Sequence, residues 1–230
     1  MIKELLKEKI KNMLDLSNIS NKQKIILKNI GSILTSLNNK EKFNKINDYE
    51  FQIFSQFGDD GIIQYLISNI KNIERKFVEF GVENYEEANT RLLLEKDNWS
   101  GLIIDSSKKN ISYIKKQDFF WKNKLSVICD FVTIKNINQI LKENNFVSDI
   151  GILSIDIDRN DYWICKEIEV IDPAIVIIEY NARFGKELSV TIPYNETFIR
   201  NSLNNLYYGA SLSALNKLAE KKKLFTNLYK

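Results

Sequence analysis

Apolar and polar positions recur along this chain with two periods, and the change from one to the other comes near residue 76. Before it the spacing is helical. Ile2, Leu6, Ile10 and Met13 recur every three or four residues, and Ile26, Ile30, Ile33 and Leu37 repeat the pattern. Asn- and Lys-rich stretches at 17–22 and 38–47 separate these segments. Residues 1–50 therefore predict a helical extension, either a hairpin packed on the main domain or a dimerisation arm or substrate lid. Residues 51–230 are the main domain. It opens with a helix at 60–72, apolar at Ile63, Leu66, Ile67 and Ile70, with Asp59 or Asp60 as N-cap.

From residue 76 short runs of Val, Ile and Phe take over. The strand candidates are 76–81, 101–105, 126–131, 151–156 and 174–180. The stretches 87–96, 109–116, 134–144 and 162–171 fit helices, and 208–222 fits one more. Strands apolar on both faces, alternating with helices, predict an α/β fold with a doubly wound, Rossmann-like, mostly parallel sheet. Pro173 sits just before the fifth predicted strand, where a missing N–H is tolerated.

Composition narrows the chemistry. The 230 residues contain no histidine. That excludes Ser-His-Asp and Cys-His catalysis and His-ligated zinc, and leaves carboxylates, Lys, Tyr or a metal-bound group for proton transfer. Cys129 and Cys165 fall in neither a metal-ligand nor a redox spacing, which fits a reducing compartment. Lys and Arg number 33 against 30 acids, spread along the chain, so the net charge of +3 gives no case for nucleic acid. No apolar run approaches the roughly 18 residues of a membrane span, and the N-terminus lacks a signal-peptide core. The expected location is the cytoplasm.

In an open α/β sheet, ligands bind beyond the carboxyl ends of the strands. Strand one ends in Glu79-Phe80-Gly81. Gly81 allows a tight turn against a ligand, whereas an acid there repels a pyrophosphate and suits a ligand bearing an amine. A salt-bridged strand-end carboxylate is the alternative for Glu79. Asp105 ends strand two, 24 positions after Gly81, near the spacing at which an acid meets ribose hydroxyls. Strand three ends in Asp130 and Phe131, suited to an exocyclic amine and a ring face, or an ordinary strand end. Strand four runs into Asp156-Ile157-Asp158-Arg159-Asn160-Asp161. Asp156 and Asp158, two apart on a strand, point the same way. That pairing is costly unless a metal, a cationic substrate or a shared proton relieves it, the other reading being a solvated turn that caps the next helix. Glu179 or Asn181, at the end of strand five, can join them. Such an oxygen-rich cluster suits Mg²⁺ or Mn²⁺, with Asp156 and Glu179 as ligands, or it binds sugar hydroxyls directly.

Six motifs in order resemble those of class I S-adenosylmethionine-dependent methyltransferases, and within that class the FkbM-like family of capsule and surface-polysaccharide gene clusters. They are SQFGDDGII (55–63), FVEFGVENYEEANT (77–90), NWSGLIIDS (98–106), SIDIDRNDYW (154–163), VIIEYNARFG (176–185) and YYGASL (207–212). The resemblance implies S-adenosyl-L-methionine as cofactor and a small-molecule or sugar-nucleotide acceptor. It implies that Glu79 and Gly81 hold the methionine end, Asp105 with Ser106 the ribose, and Asp130 with Phe131 the adenine. Gln56 and Asp60 would close over the site, with Asn89 and Thr90 beside the cofactor. Asp156, Asp158 and Asn181 would face the acceptor, one of the two aspartates as base.

Two departures stand out. Asn84-Tyr85 replaces the second glycine of the usual nucleotide loop. The antiparallel hairpin that closes the sheet in this class is missing or reduced to one short strand, which would leave strand five as an exposed edge. Three other readings compete. One is a methyltransferase on an amine or phosphoramidate. Another is an NAD-dependent oxidoreductase, disfavoured by the single glycine and the acid at strand one. The last is a truncated, inactive homologue.

Overall fold

A computed structural model describes residues 22–157, 160–196 and 208–224. Five strands form one parallel sheet: β1 (Lys76–Phe80), β2 (Ser100–Asp105), β3 (Leu125–Cys129), β4 (Ser148–Ile155) and β5 (Ile171–Ile178). Their order is β3-β2-β1-β4-β5. Parallel neighbours require a crossover, and helices supply it. α1 occupies residues 22–38 and α2 Asp59–Asn69. α3 (Arg91–Glu95) follows β1, and α4 (Lys108–Ile114) with α5 (Asp118–Lys122) follows β2. α6 (Ile137–Glu143), α7 (Asp161–Glu167) and α8 (Leu212–Lys221) follow β3, β4 and β5.

The pleat sends successive side chains of each strand to opposite faces, so each strand feeds two cores. Phe77 of β1 packs with Ile63 of α2, Leu93 and Leu94 of α3, Ile111 of α4 and Phe119 of α5. Its neighbours Val78 and Phe80 pack with Ile137 and Leu141 of α6, Ile164 of α7 and Leu218 of α8. Burial on both faces explains the continuous apolar runs. β1 lies between β2 and β4, so the strand order reverses there, and a crevice opens at the carboxyl ends beside that reversal.

The structure moves several expected boundaries. Asp130 and Phe131 lie just past β3 rather than on it. β4 ends at Ile155, so Asp156 leaves the sheet on irregular backbone and the alternation argument for Asp156 and Asp158 does not apply. Asp158 is outside the described residues. Pro173 is inside β5, paired with Ile150 of β4, and not ahead of the strand. Among the described residues no strand pairs with the outer side of β5, which is therefore an edge. Of the helical extension, the second segment is α1, while the first lies outside the described residues. The apolar stripe, which a hairpin packed on the domain would bury, faces out: Ile26 is 56% and Ile33 59% exposed. α1 instead docks through its small and polar face. Gly31 meets Ile53 and Leu92, and Lys24 and Lys28 pair with Asp118 and Glu95.

Candidate functional site

A cleft of about 1270 Å³ runs over the carboxyl ends of the strands and continues down the outer side of β5 between α2 and α8. Its first wall is the turn after β1. Gly81 adopts φ 72°, and a Cβ there would overlap the Asp156 carbonyl oxygen. Glycine is therefore required where the β1 and β4 ends approach. Glu79 sits beneath this turn, 5% exposed. Its Oε1 accepts from the Asn89 N–H at 3.0 Å and the Ser154 hydroxyl at 3.2 Å. Its Oε2 accepts from the Thr90 N–H at 3.2 Å and the Thr90 hydroxyl at 2.5 Å. Burial raises the Glu79 carboxyl above the usual range against the pull of these donors. The four bonds fill the lone-pair positions of a carboxylate. Glu79 touches the cleft and fixes its wall, and Asn89, which donates through Nδ2 to Ser154, lines the cavity beside it. Thr90 is fully buried and faces Glu79, not the cleft.

Asp105 ends β2 with both oxygens oriented by backbone. Oδ1 accepts from the Ser107 N–H at 2.7 Å, and Oδ2 from the Glu83 N–H at 3.0 Å. Ser107 caps α4, accepting from the Asn110 N–H. Asp105, Ser106, Asp130 and Phe131 line the cleft together, Phe131 with 36% of its surface exposed.

The loop before α2 forms the opposite lip. Its sequence was expected to start a helix with an aspartate cap. The N-cap is Gly58 at φ 90°, with no side-chain bond. Asp60 is 1% exposed and turns back into the loop. Its Oδ2 accepts from the N–H groups of Ile53, Phe54 and Ser55 at 2.7–2.8 Å, and Ser55 Oγ accepts from the Asp60 N–H. Burial raises this carboxyl too, against the pull of those three N–H groups, and its Oδ1 is buried with no hydrogen-bond partner. Asp60 thus holds the loop in shape and does not line the cleft, whereas Gln56 and Phe57 do.

On the far side, Asp156 and Glu179 both line the cleft. Asn181 does not. It is 1% exposed, with Nδ2 donating to Tyr208 O, Oδ1 accepting from the Arg183 N–H, and its own N–H donating to Ala210 O. It fastens the end of β5 to the segment before α8. Among the described residues no group of three or more Cys, Asp or Glu is arranged to hold a metal ion, and Asp158, the third acid of the expected cluster, lies outside them.

Three residues escaped the sequence reading. Glu83 bonds Asp105 through its backbone, which no side-chain pattern signals. Asn110 reaches Asp105 at 3.4 Å, and its place three residues after the Ser107 cap was a usable clue. Tyr85, fully buried, was seen only as a missing glycine.

The fold and the cleft define the class: a parallel, doubly wound α/β protein with an acid-lined crevice at its strand ends. No protein-family model matches the chain, and no curated protein or solved structure matches it. Among the described residues no helix is long and apolar enough to cross a membrane.

Proposed function

We propose that the protein is an S-adenosylmethionine-dependent methyltransferase. Its acceptor would be a hydroxyl of a sugar or sugar-linked group used in capsule or surface-polysaccharide synthesis. The observation that carries this reading is the sequence of acids at three successive strand ends, Glu79, Asp105 and Asp130, along one cleft, with Gly81 in its wall where the ends of β1 and β4 meet. A buried negative charge at β1 disfavours a pyrophosphate and suits an amino-acid end bearing an ammonium. Asp105, oriented by two backbone N–H groups, suits a ribose diol. Phe131 and Asp130 suit a purine face and its exocyclic amine. The six sequence motifs support the same assignment, and the sugar acceptor rests on them alone.

S-adenosylmethionine, when bound, supplies an electrophilic methyl group on a cationic sulfur. The chain's residues then do three things. The Glu79–Asn89 wall and Asp105 fix the two ends of the cofactor, so that alignment provides most of the rate gain. Asp156, at the end of β4 beside Gly81, would take up the proton of the acceptor hydroxyl when its oxygen displaces the sulfur from the methyl carbon. The anionic lining stabilises the cofactor's positive charge before transfer. No step is assigned to a metal.

Incubation with methyl-labelled S-adenosylmethionine and a panel of sugar nucleotides and sugar phosphates tests this. Label in a sugar product, lost in Asp156→Asn, is expected. Label only in amine acceptors would overturn the acceptor class, and no label in any acceptor would overturn transfer.

A further inference from the structure

The loop after Gly81 has a backbone that glycines ordinarily supply. Glu83 stands at φ 48° and Tyr85 at φ 62°, both left-handed and neither glycine. Such positions cost of order 1 kcal/mol or more each and persist only where the surroundings enforce them. Around Tyr85 the enforcement is complete. Its N–H donates to Val82 O at 2.8 Å, and its carbonyl accepts from Arg91 Nη1 at 3.1 Å. Its ring is fully buried against Phe119, 5.6 Å between centroids. Its phenol oxygen lies 2.9 Å from Thr90 Oγ1.

With Glu79 ionised, the proton order in this chain of hydroxyls follows. Thr90 has one hydroxyl proton, and it goes to the Glu79 carboxylate. The phenol must therefore donate to Thr90. Tyr85, Thr90 and Glu79 form one directed relay, and Glu79 in turn receives the Asn89 N–H and so holds a residue that lines the cleft.

We propose that Tyr85 is a positioning residue for the amino-acid end of the cofactor, acting through Thr90 and Glu79 on Asn89. The inference rests on the methyltransferase reading. A glycine here would give the same backbone and none of the bracing, so the substitution at this point of the loop exchanges freedom for a fixed wall. A deletion of the phenol oxygen alone should be felt at the amino-acid end and not at the adenosine end, which Asp105, Asp130 and Phe131 serve.

The test compares two probes on the full chain by isothermal titration: S-adenosylhomocysteine, and 5′-methylthioadenosine, which keeps the adenosine and the sulfur but lacks the amino-acid end. Wild type should bind the first at least about tenfold more tightly than the second. Tyr85→Phe should shrink that ratio about fivefold, and Thr90→Val further, with 5′-methylthioadenosine affinity held within about twofold. Thr90→Ser, which keeps both hydroxyl bonds, should restore the wild-type ratio even if Tyr85→Phe or Thr90→Val folds poorly. Equal weakening of both probes, or an unchanged ratio, would overturn the positioning role and leave the methyltransferase reading standing. Wild type that binds neither probe would overturn that reading itself.

Discussion

The two halves of the cleft are built differently. At the ends of β1 and β2 the carboxylates are held by the chain's own donors: Glu79 by four bonds from Asn89, Thr90 and Ser154, Asp105 by the N–H groups of Glu83 and Ser107. At β4 and β5, Asp156 and Glu179 follow the last sheet residues, and the outer side of β5 lies along the open trough. On the methyltransferase proposal the first half would take the cofactor, the same ligand in every turnover, and the second the acceptor. Preorganised donors cost nothing to reorganise when a ligand arrives, which is the advantage of the first arrangement.

The comparison breaks most sharply at Gly81. Gly81→Ala combines a left-handed backbone with an overlap on the Asp156 carbonyl, and both partners are backbone. A stability loss of about 3 kcal/mol or more is expected by urea unfolding. A loss below about 1 kcal/mol would show that the two strand ends can part without harm. Next is Asp60→Ala, which strands three buried N–H groups and should cost about 2–3 kcal/mol in the same assay. Asp105→Asn should weaken S-adenosylhomocysteine binding about tenfold or more while barely moving the melting temperature. A large melting shift with unchanged affinity would make Asp105 a structural residue.

A subtler sharpening uses pH. Burial raises the folded-state pKa of Glu79, so the folded chain holds that proton more tightly than the unfolded one. Its contribution is complete below the ordinary carboxylate range, about pH 4, and is lost as pH rises through the raised value. The stability difference between wild type and Glu79→Gln should therefore shrink as pH climbs from about 4 through that window. A difference that grows instead would mean that the donors around Glu79 outweigh its burial. The smallest effect belongs to α1. Ile33→Lys, on its outward stripe, should change stability by less than about 0.5 kcal/mol.

The central strands β1, β2 and β4 were legible because they are largely buried on both faces, and the half-exposed edge strands β3 and β5 still carry short runs of Val, Ile and Leu. The acids at their ends were legible for the same reason, as the first polar residues after such a run. What was not legible depends on contacts distant in sequence or on backbone chemistry. The helix expected from residue 87 begins only at Arg91, because Glu79 captures Asn89 and Thr90 in a turn. Asp60 has the composition of a helix cap, yet three loop N–H groups draw its side chain away. Asn181 sits among site-like neighbours but serves Tyr208, 27 residues on. The apolar stripe of α1 gave the helix but not the face that docks, which Gly31 and two lysine ion pairs mark.

The central claim, that the first half of the cleft is an S-adenosylmethionine mould, is tested most directly by isothermal titration with S-adenosylmethionine and S-adenosylhomocysteine, with NAD alongside. Micromolar binding of the first two and none of NAD is the predicted result. Tight binding of NAD alone, or no binding of either S-adenosyl ligand by a folded chain, would contradict it.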